Sequence, residues 1–148
     1  MNEGGIIMKE TGDLLFRLNN TKDDKALDNY IGEINGKYKL KFYEYLSVLM
    51  RERNLTSTDL ISASKIDRSY WYQIEKGDKT PGREKVIMIA LGLKASLEET
   101  QKMLGLAGQN QLYSKDVRDS LIIYAINKNM TIMDANAMLN KYGVAELK

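Results

Sequence analysis

The sequence predicts an all-α fold, and three observations carry that expectation. One proline and 11 glycines among 148 residues leave long stretches free for helix. Apolar residues recur at the i, i+3, i+4, i+7 spacing of a helix face, and hydroxyl or carboxylate caps stand just ahead of several such runs. No stretch alternates β-branched and polar residues as a half-buried strand requires. A chain of this length removes roughly 70% of its unfolded surface from water and needs no staple to fold. No repeat of fixed period and no low-complexity tract stands out.

Residues 1–10 read as loose, and Met8 offers an internal start. From Thr11, the set Leu14, Leu15, Leu18 suggests a short helix. Asp24–Ile34 is the second, with Leu27, Tyr30, Ile31 and Ile34 on one face and the turn dipeptide Asn35-Gly36 at its end. Residues 41–53 follow, striped by Phe42, Tyr45, Leu46 and Leu49. Thr56 caps the short helix Ser57–Ser64, its hydroxyl three residues ahead of the Asp59 carboxylate. Asp67 caps Arg68–Lys76, and Gly77 stops it. Pro81-Gly82 breaks the chain before Arg83–Leu93, whose inward set is Val86, Ile89, Ala90 and Leu93. Ser96 and Glu99 form a capping box for a helix that ends at Gly108. Residues 114–128 are helical, with Val117, Leu121, Ile122, Ala125 and Ile126 apolar. Thr131 opens the last helix, striped by Ile132, Ala135, Leu139 and Tyr142 and ended by Gly143. The expected organisation is an N-terminal helical extension over 1–36, a central unit over 37–94 and a C-terminal extension over 95–148 packed on it.

Composition narrows the function. With no Cys, no disulfide, thiolate nucleophile or iron–sulfur site can form. With no His, the commonest general base and most zinc sites are gone as well. An enzyme is therefore not expected, and neither is a cofactor or a metal. No apolar run approaches the ~20 residues that span a bilayer, and no basic stretch followed by an apolar core opens the chain. No membrane association is expected, and a cytoplasmic location is. Net charge is +2, but residues 37–94 hold 12 basic against 7 acidic groups. Solvated helix faces account for most such asymmetries, unless the block coincides with a fold that meets phosphate.

The informative segment is Leu55–Pro81. Two short helices are joined by Lys65-Ile66-Asp67, with Leu60 and Ile61 on the inner face of the first. Ile66 sits in the turn, and Trp71 and Ile74 lie on the inner face of the second. Steeply crossing helices need apolar anchors at those places. Residues 42–94 resemble the Cro/lambda-repressor-type helix-turn-helix of bacterial and phage regulators, the XRE family. The family pattern, roughly L-T-x-x-x-L-A…G-V-S-x-x-x-I-S-x-I-E-x-G-x-x-x-P, runs without a gap through Leu55, Thr56, Leu60, Ile66, Ile74, Glu75, Gly77 and Pro81. Trp71 takes the usual Ile position. Ile61 stands where the family has Ala, and Lys65 where it has Gly. Met50 stands where a basic residue often pairs with the Glu matching Glu75. The phrases Asp67–Ile74, Leu97–Gln101 and Leu104–Gly108 are similar to a narrower Firmicutes-type group of such regulators, and they suggest no further role.

The resemblance implies a lambda-repressor-like domain that binds double-stranded DNA sequence-specifically, with transcription regulation, repressor-like, as its role. The helix after the turn then enters the major groove. Arg68, Ser69, Tyr72 and Gln73 face base edges, Arg suiting guanine O6/N7 and Gln suiting adenine N6/N7. Thr56, Ser57, Lys65, Lys76, Lys79 and Thr80 approach phosphates, with Lys37, Lys39, Lys41 and Arg83 as weaker additions. Arg68 and Gln73 lie roughly 140° apart around a helix and so read different positions. The rival reading is a protein-interaction adaptor that reuses the fold, since Arg68 is the one basic residue on the reading helix before Lys76, and Asp67 and Glu75 flank it. Tyr70-Trp71-Tyr72 is read as one core residue with neighbours rather than a stacking platform, and the eight Met as core filling. Glu98-Glu99 and Asp116/Asp119 serve helix starts rather than acid–base chemistry. The neutral C-terminal helices provide either a surface for a homodimer or protein partner, or simply more core.

Overall fold

The computed structural model describes residues 12–37 and 40–148, with side chains for all of these except 35–37. The expected loose 1–10, Met8 as a start, Lys39 as a phosphate contact and the side chain of Lys37 lie outside the described residues. Among the described residues there are nine helices and no strand. The chain divides into two compact units, 1–39 and 40–148.

In the first unit, residues 12–19 (α1) and Asp24–Lys37 (α2) are helical. The Asp23 carboxylate accepts the Ala26 N–H at 2.7 Å and starts α2. The Arg17 guanidinium bonds the Glu33 carboxylate and lies 5.5 Å from the Tyr30 ring centre. Asn35-Gly36 does not end α2, which runs on to Lys37. Gly costs only about 1 kcal/mol against Ala inside a helix, and Asn less, so an established helix passes through the pair. Of the expected stripe, Tyr30 is buried and Ile34 half-buried, while Leu27 and Ile31 are exposed. Two short helices shield only part of such a face.

The second unit holds α3 (Phe42–Glu52), α4 (Ser57–Ser64), α5 (Arg68–Glu75), α6 (Arg83–Leu93), α7 (Leu97–Leu106), α8 (Val117–Asn127) and α9 (Ile132–Lys141). The cap residues act as their chemistry dictates. Thr56, Ser96 and Thr131 each accept the N–H three residues on, and Asp67 and Asp116 accept those of Tyr70 and Asp119. Since Asp116 is the cap, α8 starts at Val117 rather than at 114. Gly77, Gly108 and Gly143 end helices at positive φ. One core runs through the unit, with Trp71, Leu60 and Ile74 at its α4–α5 end and Ile122, Ala125 and Leu139 at the other. Gly92 brings α6 against the end of α4, where a Cβ would stand 3.1 Å from the Ser64 nitrogen. Val117 and Tyr142, expected inward, are exposed.

A fixed-period repeat, which the residues alone did not suggest, becomes plain in the contacts. Shifting the chain by 35 residues lays 83–112 on 118–147 and α6–α7 on α8–α9. The Arg83 guanidinium forks onto Asp119 at 2.8 and 3.2 Å, and Arg118 forks onto Glu84 at 2.6 and 3.2 Å. Arg83 also donates to the carbonyls of Asn110 and Gln111, and Arg118 to those of Ala145 and Glu146. The Gln101 side-chain amide holds both backbone groups of Leu112 (2.7 and 3.0 Å), as the Asn136 amide holds Leu147 (2.7 and 3.1 Å). Lys94 and Asn129, again 35 apart, both take left-handed φ, 54° and 53°. The ion pairs are exchanged reciprocally, as across a twofold axis. Only seven of the thirty aligned positions are identical (Arg83, Ile87, Ala90, Met103, Leu104, Gly108, Leu112 and their counterparts). That is why composition and periodicity hid it. Residues 95–148 are therefore built into the same core as α6.

Candidate nucleic-acid interface

The local sequence of α4 and α5 decides which side chains reach the surface. Leu60 faces inward from α4, and Trp71 (0% exposed) and Ile74 face inward from α5, with Ile66 buried in the turn between them. At 100° per residue, that pins one side of α5 to the core and turns residues 68, 69, 72 and 73 over roughly 140° of the other. Arg68, Ser69 and Tyr72 are exposed, and Gln73 is half-buried. None of these four side chains has a hydrogen-bond or ion-pair partner among the described residues.

Most of the candidate phosphate residues lie on the segments just before and after α5. Lys65, Lys76, Lys79 and Thr80 are exposed. Lys65 occupies the left-handed conformation, φ 55°, that ends α4, which is the position where Gly carries no penalty. The Lys76 ammonium lies 3.4 Å from the Asp78 carboxylate, so part of its charge is answered within the chain. Lys41 is exposed just ahead of α3. Arg83 is not a free cation: at the start of α6, its guanidinium is spent on Asp119 and the carbonyls of Asn110 and Gln111.

Thr56 and Ser57 stand at the start of α4. The Thr56 hydroxyl accepts the Asp59 N–H (3.2 Å), and the Asp59 carboxylate accepts the Thr56 N–H (2.9 Å). The Thr56 N–H first, and then the Thr56 hydroxyl, hold the Asp59 carboxyl below the usual carboxylate range. Ser57 donates its hydroxyl to Glu75 at 2.5 Å, so a carboxylate sits beside this helix start. The N–H groups of Ser57 and Thr58 remain the donors an anion would meet there.

Glu75 is the residue whose work sequence reasoning missed. Its other oxygen accepts the Trp71 indole N–H at 3.2 Å. One carboxylate thus ties the start of α4 to the buried ring of α5 and sets their crossing. The departures at Met50 and Trp71 were the available signal, for a carboxylate without its usual basic partner beside a ring with a new N–H implies the two meet. Tyr43 was missed too. Its ring lies where a Cβ on Gly77 would come within 2.6 Å, which locks the end of α5 against α3.

The described residues hold no cluster of acidic groups able to take a metal ion, and no helix long and apolar enough to cross a membrane. No protein-family model, no curated protein and no solved structure matches the chain.

Proposed function

We propose that the chain is a sequence-specific double-stranded DNA-binding protein, a cytoplasmic transcription regulator of the XRE helix-turn-helix type, with α5 as the reading helix. The observation that supports this best is the exposed side of α5. Arg68, Ser69, Tyr72 and Gln73 lie on one arc of a helix anchored by Trp71 and Ile74, and no side-chain bond among the described residues occupies them. From there Arg68 can present paired donors, and Gln73 a donor and an acceptor, to a major groove without first breaking internal bonds. Lys65, Lys79 and Thr80 are exposed on the segments flanking α5, which supports them as the contacts to the phosphates of a duplex seated there.

Selection of bound sites from a random duplex library tests it. Wild type should enrich a discrete motif. Arg68→Ala should lose about 1–3 kcal/mol and relax preference at a guanine, and Gln73→Ala should relax a different position. Identical preferences in wild type and both variants would remove α5 from base reading. The adaptor reading draws on Asp67, Glu75 and Asp78, which border the same face and oppose phosphate. It gains ground if neither substitution changes DNA affinity while a protein co-purifies.

A further inference from the structure

The internal repeat makes a comparison possible that concerns neither α5 nor DNA. On the first hairpin, Val86, Ile89, Met103 and Ala107 are buried, because α3 lies against α7 and α4 against α6. The counterparts 35 residues on are Leu121, Tyr124, Met138 and Tyr142. They have no such cover: Ile89 is 0% exposed and Tyr124 50%, Ala107 9% and Tyr142 59%. Together they line an open groove of about 890 Å³ between α8 and α9. Helix α8 is apolar on two sides in consequence. Ile122, Ala125 and Ile126 face the core, while Val117, Leu121 and Tyr124 line the groove. A helix apolar on both sides is one with two partners, and the described residues of this unit supply only the first.

We propose that the α8–α9 groove docks an amphipathic helix of a partner protein, apolar on its inner face and acidic along its flanks. The helical character follows from the first hairpin, whose matching face is covered by helices. The acidic flanks follow from the rim. The lining includes Lys115 and Lys141 and no carboxylate. The Lys128 and Lys141 ammonium groups stand 5.7 and 6.0 Å from the Tyr124 and Tyr142 rings, at the edges of the apolar floor. On the first hairpin Glu99 takes the α3-end Arg53 at 2.5 Å. Its counterpart on the second, Asp134, does not line the groove.

Two fluorescent peptides test this on the full chain. Both carry aromatic and leucine residues at the spacing of Phe42, Tyr45, Leu46 and Leu49, one with Glu and one with Lys on the flanking positions. The Glu peptide should bind saturably, about tenfold more tightly than the Lys peptide, and weaken with salt. Tyr124→Glu and Tyr142→Glu change exposed side chains and should leave the circular dichroism spectrum intact. Each should weaken the Glu peptide by about tenfold or more, whereas Tyr113→Glu, outside the groove, should not. Equal affinity of the two peptides, or indifference to the tyrosine substitutions, overturns the proposal. So does concentration-dependent self-association that Tyr124→Glu abolishes, which would give the groove to a second copy. DNA-site selection is independent of all these outcomes.

Discussion

Glu75 and Trp71 show how one residue's chemistry can stand in for another's. A carboxylate that bonds a hydroxyl and an indole N–H needs no basic residue at position 50, and Met50 is free to be core. Hydrogen bonds to a charged acceptor contribute about 1.5–3 kcal/mol. Glu75→Ala should therefore lower unfolding stability by about that much, and it should also change the emission of Trp71, the single tryptophan. Trp71→Ala should cost about 3–5 kcal/mol, read by denaturant melts followed by circular dichroism. A smaller loss would mean that the ring does not fill the α4–α5 crossing. Lys65→Gly works in the opposite direction. The left-handed conformation costs a residue with a Cβ about 1 kcal/mol, so removing the side chain should raise stability by up to that amount. If it also weakens DNA binding, the ammonium and not the backbone was the useful part.

At the scale of elements, most of the chain was legible because helices announce their ends locally. The Thr56, Ser96 and Thr131 hydroxyls cap as their spacing implied, and Gly77, Gly108 and Gly143 stop helices where φ must turn positive. What was not legible depends on partners distant in sequence. Asn35-Gly36 reads as a turn only if its neighbours do not continue the helix, and here they do. Val117 and Tyr142 share their helices' apolar spacing, yet nothing local says that the space beside them is open. Gly77 gives a test at this scale. Its φ of 85° and the 2.6 Å approach to Tyr43 are two separate penalties for a side chain. Gly77→Ala should cost well over 1 kcal/mol. Tyr43→Ala added to it should recover the clash but not the backbone strain, so the double variant should fall short of additivity. Full additivity would separate the ring from the glycine.

For the whole molecule, the reciprocal ion pairs say what joins the two hairpins. Arg83 with Asp119 and Arg118 with Glu84 bridge α6 and α8, and each arginine also gathers the carbonyls of its own hairpin's tail. The sequence displayed all four charges, but with few identical positions to mark the period, Asp119 read as a helix-start carboxylate and Arg83 as a weaker phosphate contact, and nothing paired them. Asp119 carries the sharpest consequence. Burial alone pushes its carboxyl up, but the Arg83 hydrogen bonds, the Tyr113 N–H and the charges of Arg83 and Arg118 outweigh burial and hold it below the usual range. Its folded pKa is thus depressed relative to the ~3.9 of an unfolded Asp. The stability it contributes is fully present above that pH and is lost as pH falls through the lower folded value. Asp119→Asn strands the Arg83 guanidinium half-buried and should cost about 3 kcal/mol at pH 7. Urea melts at descending pH supply the check. The gap between wild type and Asp119→Asn should hold from pH 7 to about 4 and shrink below it, because protonation then does to wild type what the substitution does at every pH. A gap that stays constant down to pH 2 would mean that the carboxylate's charge is not what couples the hairpins.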